Sequence, residues 1–205
     1  MSLQLRTKDT ADNGASDEKG VYIALGGNMP FEGLEGGRLF EKVLNVIDRS
    51  GFKPIRVSRV WSSPAWPDRS TPAFANAVAE LAPDEADAQD LLMQLLKIEE
   101  RFGRIRKEVN GPRTLDLDLI DFCGRVWVDK DPAGLTIPHL RAHERSFVMG
   151  PLQEIAPQWR HPVLEAPVSE LFESALAVWP AEKRDPIPAF SQAPQNSVEL
   201  AGRLD

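Results

Sequence analysis

Two aspartates stand two residues apart in the stretch GPRTLDLDLIDF, residues 111–122. Leucine and aspartate alternate there, and a period of two is typical of a β-strand. Asp116 and Asp118 would therefore point to one face of the strand, with the leucines on the other. Two carboxylates together with phosphate oxygens are a common way to hold Mg²⁺. The alternative is a solvated polar face of an edge strand.

Basic residues are concentrated around this strand. Seven of the sixteen arginines lie between Arg101 and Arg145, in less than a quarter of the chain. Arginine suits bidentate binding of phosphate or carboxylate. A helix C-terminus would explain one cation, but the stretch GRIRK carries three: Arg104, Arg106 and Lys107. Since the sequence has no GxxxxGK[ST] motif, a phosphate would be held by side chains, with Arg113 close by.

A third group lies in the stretch IPHLRAHERSF. His139 and His143 have the i, i+4 spacing of half a zinc site, but no third ligand is evident. We favour His139 as a phosphate hydrogen-bond donor or a structural histidine. Arg145 joins the candidate phosphate-binding residues.

The stretch FANA would place Phe74 and Asn76 on the same face of a strand. Residue types alone favour a core phenylalanine and an asparagine at a strand edge. The alternative is a planar ligand that stacks on Phe74 and bonds to the amide. Glu99 on its own is interpreted as an exposed helix carboxylate. Trp66 lies in a proline-rich loop, so it is less easily interpreted as a core residue.

The elements that must position these residues follow the order β-α-β-β-α-β. Apolar spacing predicts helices from Leu39 to Ile47 and from Leu91 to Phe102, each followed by a glycine. This order predicts a ferredoxin-like α+β fold, an antiparallel sheet with both helices on one face and the other face open for a site or for later elements. The predicted strands are Val21–Gly27, 53–63, 73–81 and the Leu/Asp strand.

Further elements are expected beyond this core. A short hairpin strand is predicted at Val126–Val128, and helices at 139–156 and 168–178 are expected to pack at the edge of the sheet. Residues 1–20 are polar and predicted to be a disordered tail. Residues 21–179 would form the domain, and residues 180–205 a proline-rich, mobile tail.

Composition limits the classes of protein to consider. The chain has 205 residues, no run of 18 apolar residues and no apolar N-terminal signal segment. A net charge of −7 argues against nucleic acid and anionic membranes as partners. Cys123 is the only cysteine, which suits a reducing compartment. We expect a cytoplasmic monomer.

Taken together, these segments resemble the 6-hydroxymethyl-7,8-dihydropterin pyrophosphokinase family. The resemblance runs from about Val21 to His161 and includes the stretches YIALGGN, VSRVWSSPAW, FANAV and IEERFGRIR. Its most specific part is the succession of Gly-Pro-Arg, Asp-x-Asp, Pro-His and Arg-x-Phe in this order and spacing.

The resemblance implies a reaction and a ligand set. The β,γ-diphosphate of ATP would pass to the hydroxymethyl group of 6-hydroxymethyl-7,8-dihydropterin, releasing AMP, with two Mg²⁺ ions. The segments Pro64–Pro72 and Arg104–Arg113 would be mobile loops that close over the reactants. Asp116 and Asp118 match the metal ligands, and Arg104 and Arg113 match catalytic, phosphate-binding arginines.

The remaining positions match further parts of the family's site. Further ATP or phosphate contacts would be Arg106, Lys107, His139 and Arg145. Pterin contacts would be Ser63, Pro64, Trp66, Phe74, Asn76 and Phe147. Supporting polar positions would be Asn28 and Glu99.

Two alternatives to an active enzyme follow from the sequence. One is a homologue that binds but has lost turnover, and the other is a ferredoxin-like binding module. The segment before Gly111 also departs from the family pattern, because Asn110 stands where a tryptophan is common.

Overall fold

The computed structural model describes residues 19–65, 70–82, 87–104, 111–129 and 134–188. The helices in these ranges are α1 (Gly36–Arg49), α2 (Ala88–Arg101), α3 (Ser146–Ile155) and α4 (Val168–Val178). The strands are β1 (Val21–Gly27), β2 (Pro54–Val57), β3 (Trp61–Ser63), β4 (Phe74–Leu81), β5 (Asp116–Phe122), β6 (Trp127–Val128), β7 (Thr136–Ile137) and β8 (Glu182–Lys183). None of the helices in the described ranges has the length and apolar character of a membrane span.

The main sheet has β4 at its centre, and β1 lies between β4 and β5. Its strand order is β5-β1-β4-β3-β8, and β2 also pairs with β4. β1 runs antiparallel to both β4 and β5, which confirms the predicted ferredoxin-like core. The segment 53–63, predicted as one strand, forms the separate strands β2 and β3. The break lies at Ser58, whose hydroxyl oxygen accepts a hydrogen bond from the Val78 N–H at 3.0 Å and interrupts the regular ladder.

One face of the sheet is covered by α1 and α2, as predicted. The predicted stripe on α1 is buried, and it includes Phe40 and Ile47. From β5, Leu117 and Leu119 enter the same core. Burying side chains of this kind contributes about 1.5–3 kcal/mol each, so the Leu/Asp alternation fixes which face of β5 turns inward.

The other face is partly covered by α3 and α4, so the predicted position of these helices at the sheet's edge was wrong. α3 has an almost continuous apolar surface, including Val148, Met149 and Leu152, which packs against residues of β1, β4 and β5. A helix that is apolar on most sides requires cover on most sides. α3 therefore lies between the sheet and α4.

The helix predicted from residue 139 begins only at Ser146. The main-chain N–H of His139 donates to the Ile120 carbonyl at 2.9 Å, which attaches residue 139 to the neighbouring β5. A 3-10 turn at Ala142–Glu144 follows.

Of two peripheral elements, one agrees with its prediction and one does not. The short hairpin strand predicted at Val126–Val128 is confirmed as Trp127–Val128, which pairs antiparallel with β7 in a separate two-stranded sheet. The tail predicted from residue 180 begins with an ordered segment, because β8 pairs with β3 and Ile187 is buried in the core. A strand of two residues such as β8 is too short for an alternating pattern to be recognised in the sequence.

Candidate active site

A cavity of about 610 Å³ lies on the α3 side of the sheet. Its walls come from β1, β3, β4 and β5, from the residues before α3, and from α4. The structure therefore brings together residues that are far apart in the sequence. The predicted site residues that line it are Ser63, Pro64, Phe74, Asn76, Arg113, Asp116, Asp118, Arg145 and Phe147.

The two aspartates stand opposite small residues of the neighbouring strand β1. In the antiparallel register, Asp116 pairs with Gly26 and Asp118 with Ala24. Both small residues also line the cavity. The carboxylates consequently have space in front of them where larger side chains would otherwise pack.

Two arginines bind Asp116. Arg104 Nη2 lies 2.7 Å from one carboxylate oxygen and Arg113 Nη1 lies 2.7 Å from the other. All three side chains are largely shielded from solvent. The predicted catalytic arginines thus converge on the first aspartate from both ends of the predicted loop Arg104–Arg113.

Asp118 has different basic neighbours. Arg145 Nη1 lies 3.3 Å from one carboxylate oxygen, and His139 Nε2 lies 3.9 Å from the other. Burial, reinforced by the negative charge of Asp116, raises the pKa of Asp118. Burial lowers the pKa of His139. A cation at this position would relieve the repulsion between the two carboxylates.

Glu99 is buried, with 2% of its surface exposed, so its interpretation as an exposed carboxylate was wrong. Its Oε1 accepts a hydrogen bond from the Leu117 N–H at 2.6 Å and also contacts Arg104. Burial raises the pKa of Glu99 to about 7. Glu99 therefore ties the end of α2 to β5 and anchors one of the two arginines of Asp116.

Asn28 connects the chain at two points near the site. Its Oδ1 accepts a hydrogen bond from the Arg113 N–H at 2.9 Å, and its Nδ2 donates to the Pro72 carbonyl at 3.0 Å. Arg113 and Pro72 are the last residues of the two predicted mobile loops. One side chain thus fixes the point where each loop rejoins the sheet.

The aromatic and amide candidates line the cavity beside the charged groups. The Arg113 guanidinium lies 5.7 Å from the centre of the Phe74 ring, and that of Arg145 lies 5.9 Å from the Phe147 ring. Asn76 is buried, and its amide donates to Ser63 Oγ at 3.1 Å. Both rings are therefore next to the groups predicted to bind phosphate.

Some predicted residues fall outside the described ranges, namely Trp66, Arg106 and Lys107. Within the described ranges, no three histidine, cysteine or acidic side chains converge as they would in a metal site made of protein ligands alone. A zinc site at His139 and His143 accordingly has no support.

Sequence reasoning missed several residues of the cavity wall. Arg141 and Glu144 line it from the turn before α3, next to His143, which the sequence suggested only as half of a zinc site. Leu171, Ala175 and Val178 of α4 also line it, as does Trp179 directly after that helix. The α4 residues carry no recognisable motif. Their apolar spacing predicts only that a helix packs somewhere.

Comparison with known proteins identifies relatives of the chain. Residues 22–157 match the family model described as 7,8-dihydro-6-hydroxymethylpterin-pyrophosphokinase (HPPK). A Synechocystis protein named 2-amino-4-hydroxy-6-hydroxymethyldihydropteridine pyrophosphokinase is 37% identical, over 78% of this chain and 80% of that protein. The protein of the same name from Pseudomonas aeruginosa is 35% identical, over 69% and 83%.

Longer proteins also match. The folic acid synthesis protein fol1 of Pneumocystis carinii is 34% identical over 78% of this chain, which spans only 20% of that protein. A solved structure of Plasmodium falciparum HPPK-DHPS with pteroate aligns with a TM-score of 0.60 and 12% identity, over 77% of this chain and 44% of that one. The structural match supports the fold.

Proposed function

Because the chain belongs to the 7,8-dihydro-6-hydroxymethylpterin-pyrophosphokinase family, which transfers pyrophosphate from ATP to hydroxymethyldihydropterin in folate biosynthesis, we propose that Asp116 and Asp118 are its catalytic metal ligands. The observation that carries this proposal is their arrangement on β5. The two carboxylates point from one face of the strand into one cavity, and each is contacted by different basic side chains.

The donor set suits two Mg²⁺ ions. Carboxylate oxygens are hard ligands, and Mg²⁺ typically completes its shell with water and substrate phosphates instead of further protein groups. The absence of a third acidic or histidine ligand among the described residues agrees with this. When bound, Mg²⁺ would screen the charge of the phosphates and lower the pKa of the attacking hydroxyl group.

The basic residues around the aspartates would position the triphosphate. Arg104 and Arg113 now bind Asp116, and we propose that they exchange this carboxylate for phosphate oxygens when the nucleotide arrives. Arg145 and His139, beside Asp118, would contact the same chain of phosphates. Arg106 and Lys107 remain predicted phosphate contacts. Phosphoryl chemistry of this kind depends mainly on such positioning and charge stabilisation.

The pterin would occupy the part of the cavity between β3, β4 and the start of α3. Phe74 and Phe147 offer ring faces to a planar bicycle, and Asn76 offers an amide to its edge. Ser63 and Pro64 form the wall beside them, and Trp66 is predicted to extend that wall. The hydroxymethyl group would then face the aspartates, in line with the phosphates.

An assay with ATP and 6-hydroxymethyl-7,8-dihydropterin tests the proposal directly. We expect AMP as the product nucleotide, formed only with Mg²⁺ or a similar cation, and a large loss of rate for Asp116→Asn. Asp48→Asn, at the exposed end of α1, is the matched control and should behave as wild type. ADP as the product, or turnover with a chelator present, would overturn the assignment. A cytoplasmic location and a monomeric state stay predictions.

A further inference from the structure

One wall of the cavity is built by the chain that follows the family-model match. That match ends at residue 157, whereas α4 and Trp179 lie beyond it and line the cavity together with Pro64. The C-terminal part of the chain is thus a component of the site.

Trp179 makes a specific contact with the opposite wall. Its indole Nε1–H donates to the Pro64 carbonyl at 3.3 Å. Its own carbonyl accepts a hydrogen bond from the Ser146 hydroxyl at the start of α3. Trp179 therefore links α3, which carries Phe147, to the end of β3.

The segment after Trp179 holds the same wall from its other side. β8 pairs with β3, with Ser62 opposite Glu182. Beyond the strand, the Val60 N–H donates to the Asp185 carbonyl at 3.0 Å. The strand that leads into Ser63 and Pro64 is thus paired on both edges, since Ser63 also pairs with Phe74.

We propose that Trp179 is a positioning residue for the pterin. Through its two hydrogen bonds it holds Pro64, and with it Ser63, in place relative to the start of α3, which carries Phe147. Because the Asn76 amide donates to Ser63 Oγ, the position of Ser63 also sets the orientation of that amide. This inference rests on the proposed function, because it takes the cavity to be the pterin site.

The contacts also predict which substrate is affected. Trp179 touches the β3 side of the cavity, whereas Arg104 and Asp116 lie on the β5 side. A change at Trp179 should therefore weaken the binding of pterin and leave that of ATP nearly unchanged. A general structural role would weaken both.

Two substitutions and one matched control test the proposal on the full chain. Trp179→Ala removes the ring and the donor, and Trp179→Phe keeps an aromatic ring without the N–H. Trp127→Ala is the control, because Trp127 lies on β6 and is 58% exposed. We expect the KM for pterin to rise about tenfold in Trp179→Ala and about threefold in Trp179→Phe, changes that correspond to roughly 1.4 and 0.7 kcal/mol. The KM for ATP should stay within about twofold, and the control should match wild type.

Calorimetric titration of pterin and thermal unfolding complete the test. Wild-type pterin affinity in a folded Trp179→Ala protein would overturn the inference. If that variant does not fold, Trp179→Phe decides, and an equal loss for both substrates, or none, would overturn it. A wild-type protein that does not bind the hydroxymethyl pterin would instead refute the proposed function itself.

Discussion

Replacing Glu99 by glutamine should change how the stability of the protein depends on pH. Burial raises the pKa of this carboxyl group from 4.5 to about 7, although the Leu117 N–H and Arg104 act in the opposite direction. Glutamine keeps a carbonyl oxygen for the Leu117 N–H and cannot ionise. The substitution therefore isolates the charge of the side chain from its hydrogen bond.

The sign follows from comparing the folded and unfolded states. The folded protein binds the proton more tightly, so the contribution of Glu99 is favourable below pH 4.5 and is lost as the pH rises through 7. A pKa rise of this size means that the free energy of unfolding is about 3 kcal/mol lower at a pH above both pKa values than at a pH below both. Between pH 5 and 8, wild type should lose about 2–3 kcal/mol relative to Glu99→Gln, and the variant should be the more stable protein at pH 8.

Urea unfolding of both proteins at pH 5, 6, 7 and 8 measures this difference. Other titratable groups are common to the two proteins and largely cancel. Glu99→Ala serves as a comparison, since it also cannot ionise but leaves the Leu117 N–H without its acceptor; relative to Glu99→Gln it should cost about 1–3 kcal/mol at every pH. A Gln-minus-Glu difference that stays constant from pH 5 to 8 would refute the reasoning, because it would mean that Glu99 is ionised throughout.

Three further predictions concern the site and its surroundings. Asp118→Ala should lose about 3–4 kcal/mol of transition-state stabilisation in steady-state assays. Its thermal unfolding temperature should stay unchanged or rise, because the repulsion with Asp116 is gone. An unfolded or fully active variant would contradict this. Burial, with a neighbouring histidine, lowers the pKa of His161. Its Nδ1 accepts hydrogen bonds from the Val163 and Leu164 N–H groups. The contribution of the neutral His161 ring to folding stability is therefore present above pH 6.5 and is lost on acidification. Wild type should therefore lose stability relative to His161→Gln between pH 7 and 5 in urea titrations, and parallel curves would count against it. A non-hydrolysable ATP analogue with Mg²⁺ should tighten pterin binding at least tenfold, roughly 1.4 kcal/mol, and equal affinities in calorimetry would show that the two sites are not coupled.

The strands and helices of the core could be predicted because they are set by local periodicity. The alternation in β5 is enough to identify its inner face and the pair of aspartates on the opposite one. The stripe from Leu39 to Ile47 likewise predicted the buried face of α1. In both cases one period, sustained over several residues, determines the result.

The remaining features depend on long-range packing. The position of α3 between the sheet and α4 depends on the shape of both surfaces. The pairing of β8 with β3 depends on which strand edge is free in the folded sheet, and no local sequence pattern indicates that. Glu99 is a partial exception. It directly follows Ile98 and stands four residues after Leu95, so it lies beside the apolar stripe that is buried in the structure, whereas its charge led to the interpretation as exposed.

The space for a ligand depends on a residue that has no reactive or binding side chain. Gly26 stands between Asn76 of β4 and Asp116 of β5 in one row across the sheet. A methyl group at Gly26 would lie 3.6 Å from the Asn76 amide oxygen and 3.7 Å from the Asp116 Cβ. It would therefore occupy the space between the proposed metal side and the proposed pterin side of the cavity without clashing with either. The glycine leaves the space above β1 open between these two sides of the cavity, and its function becomes apparent only once its neighbours across the sheet are known.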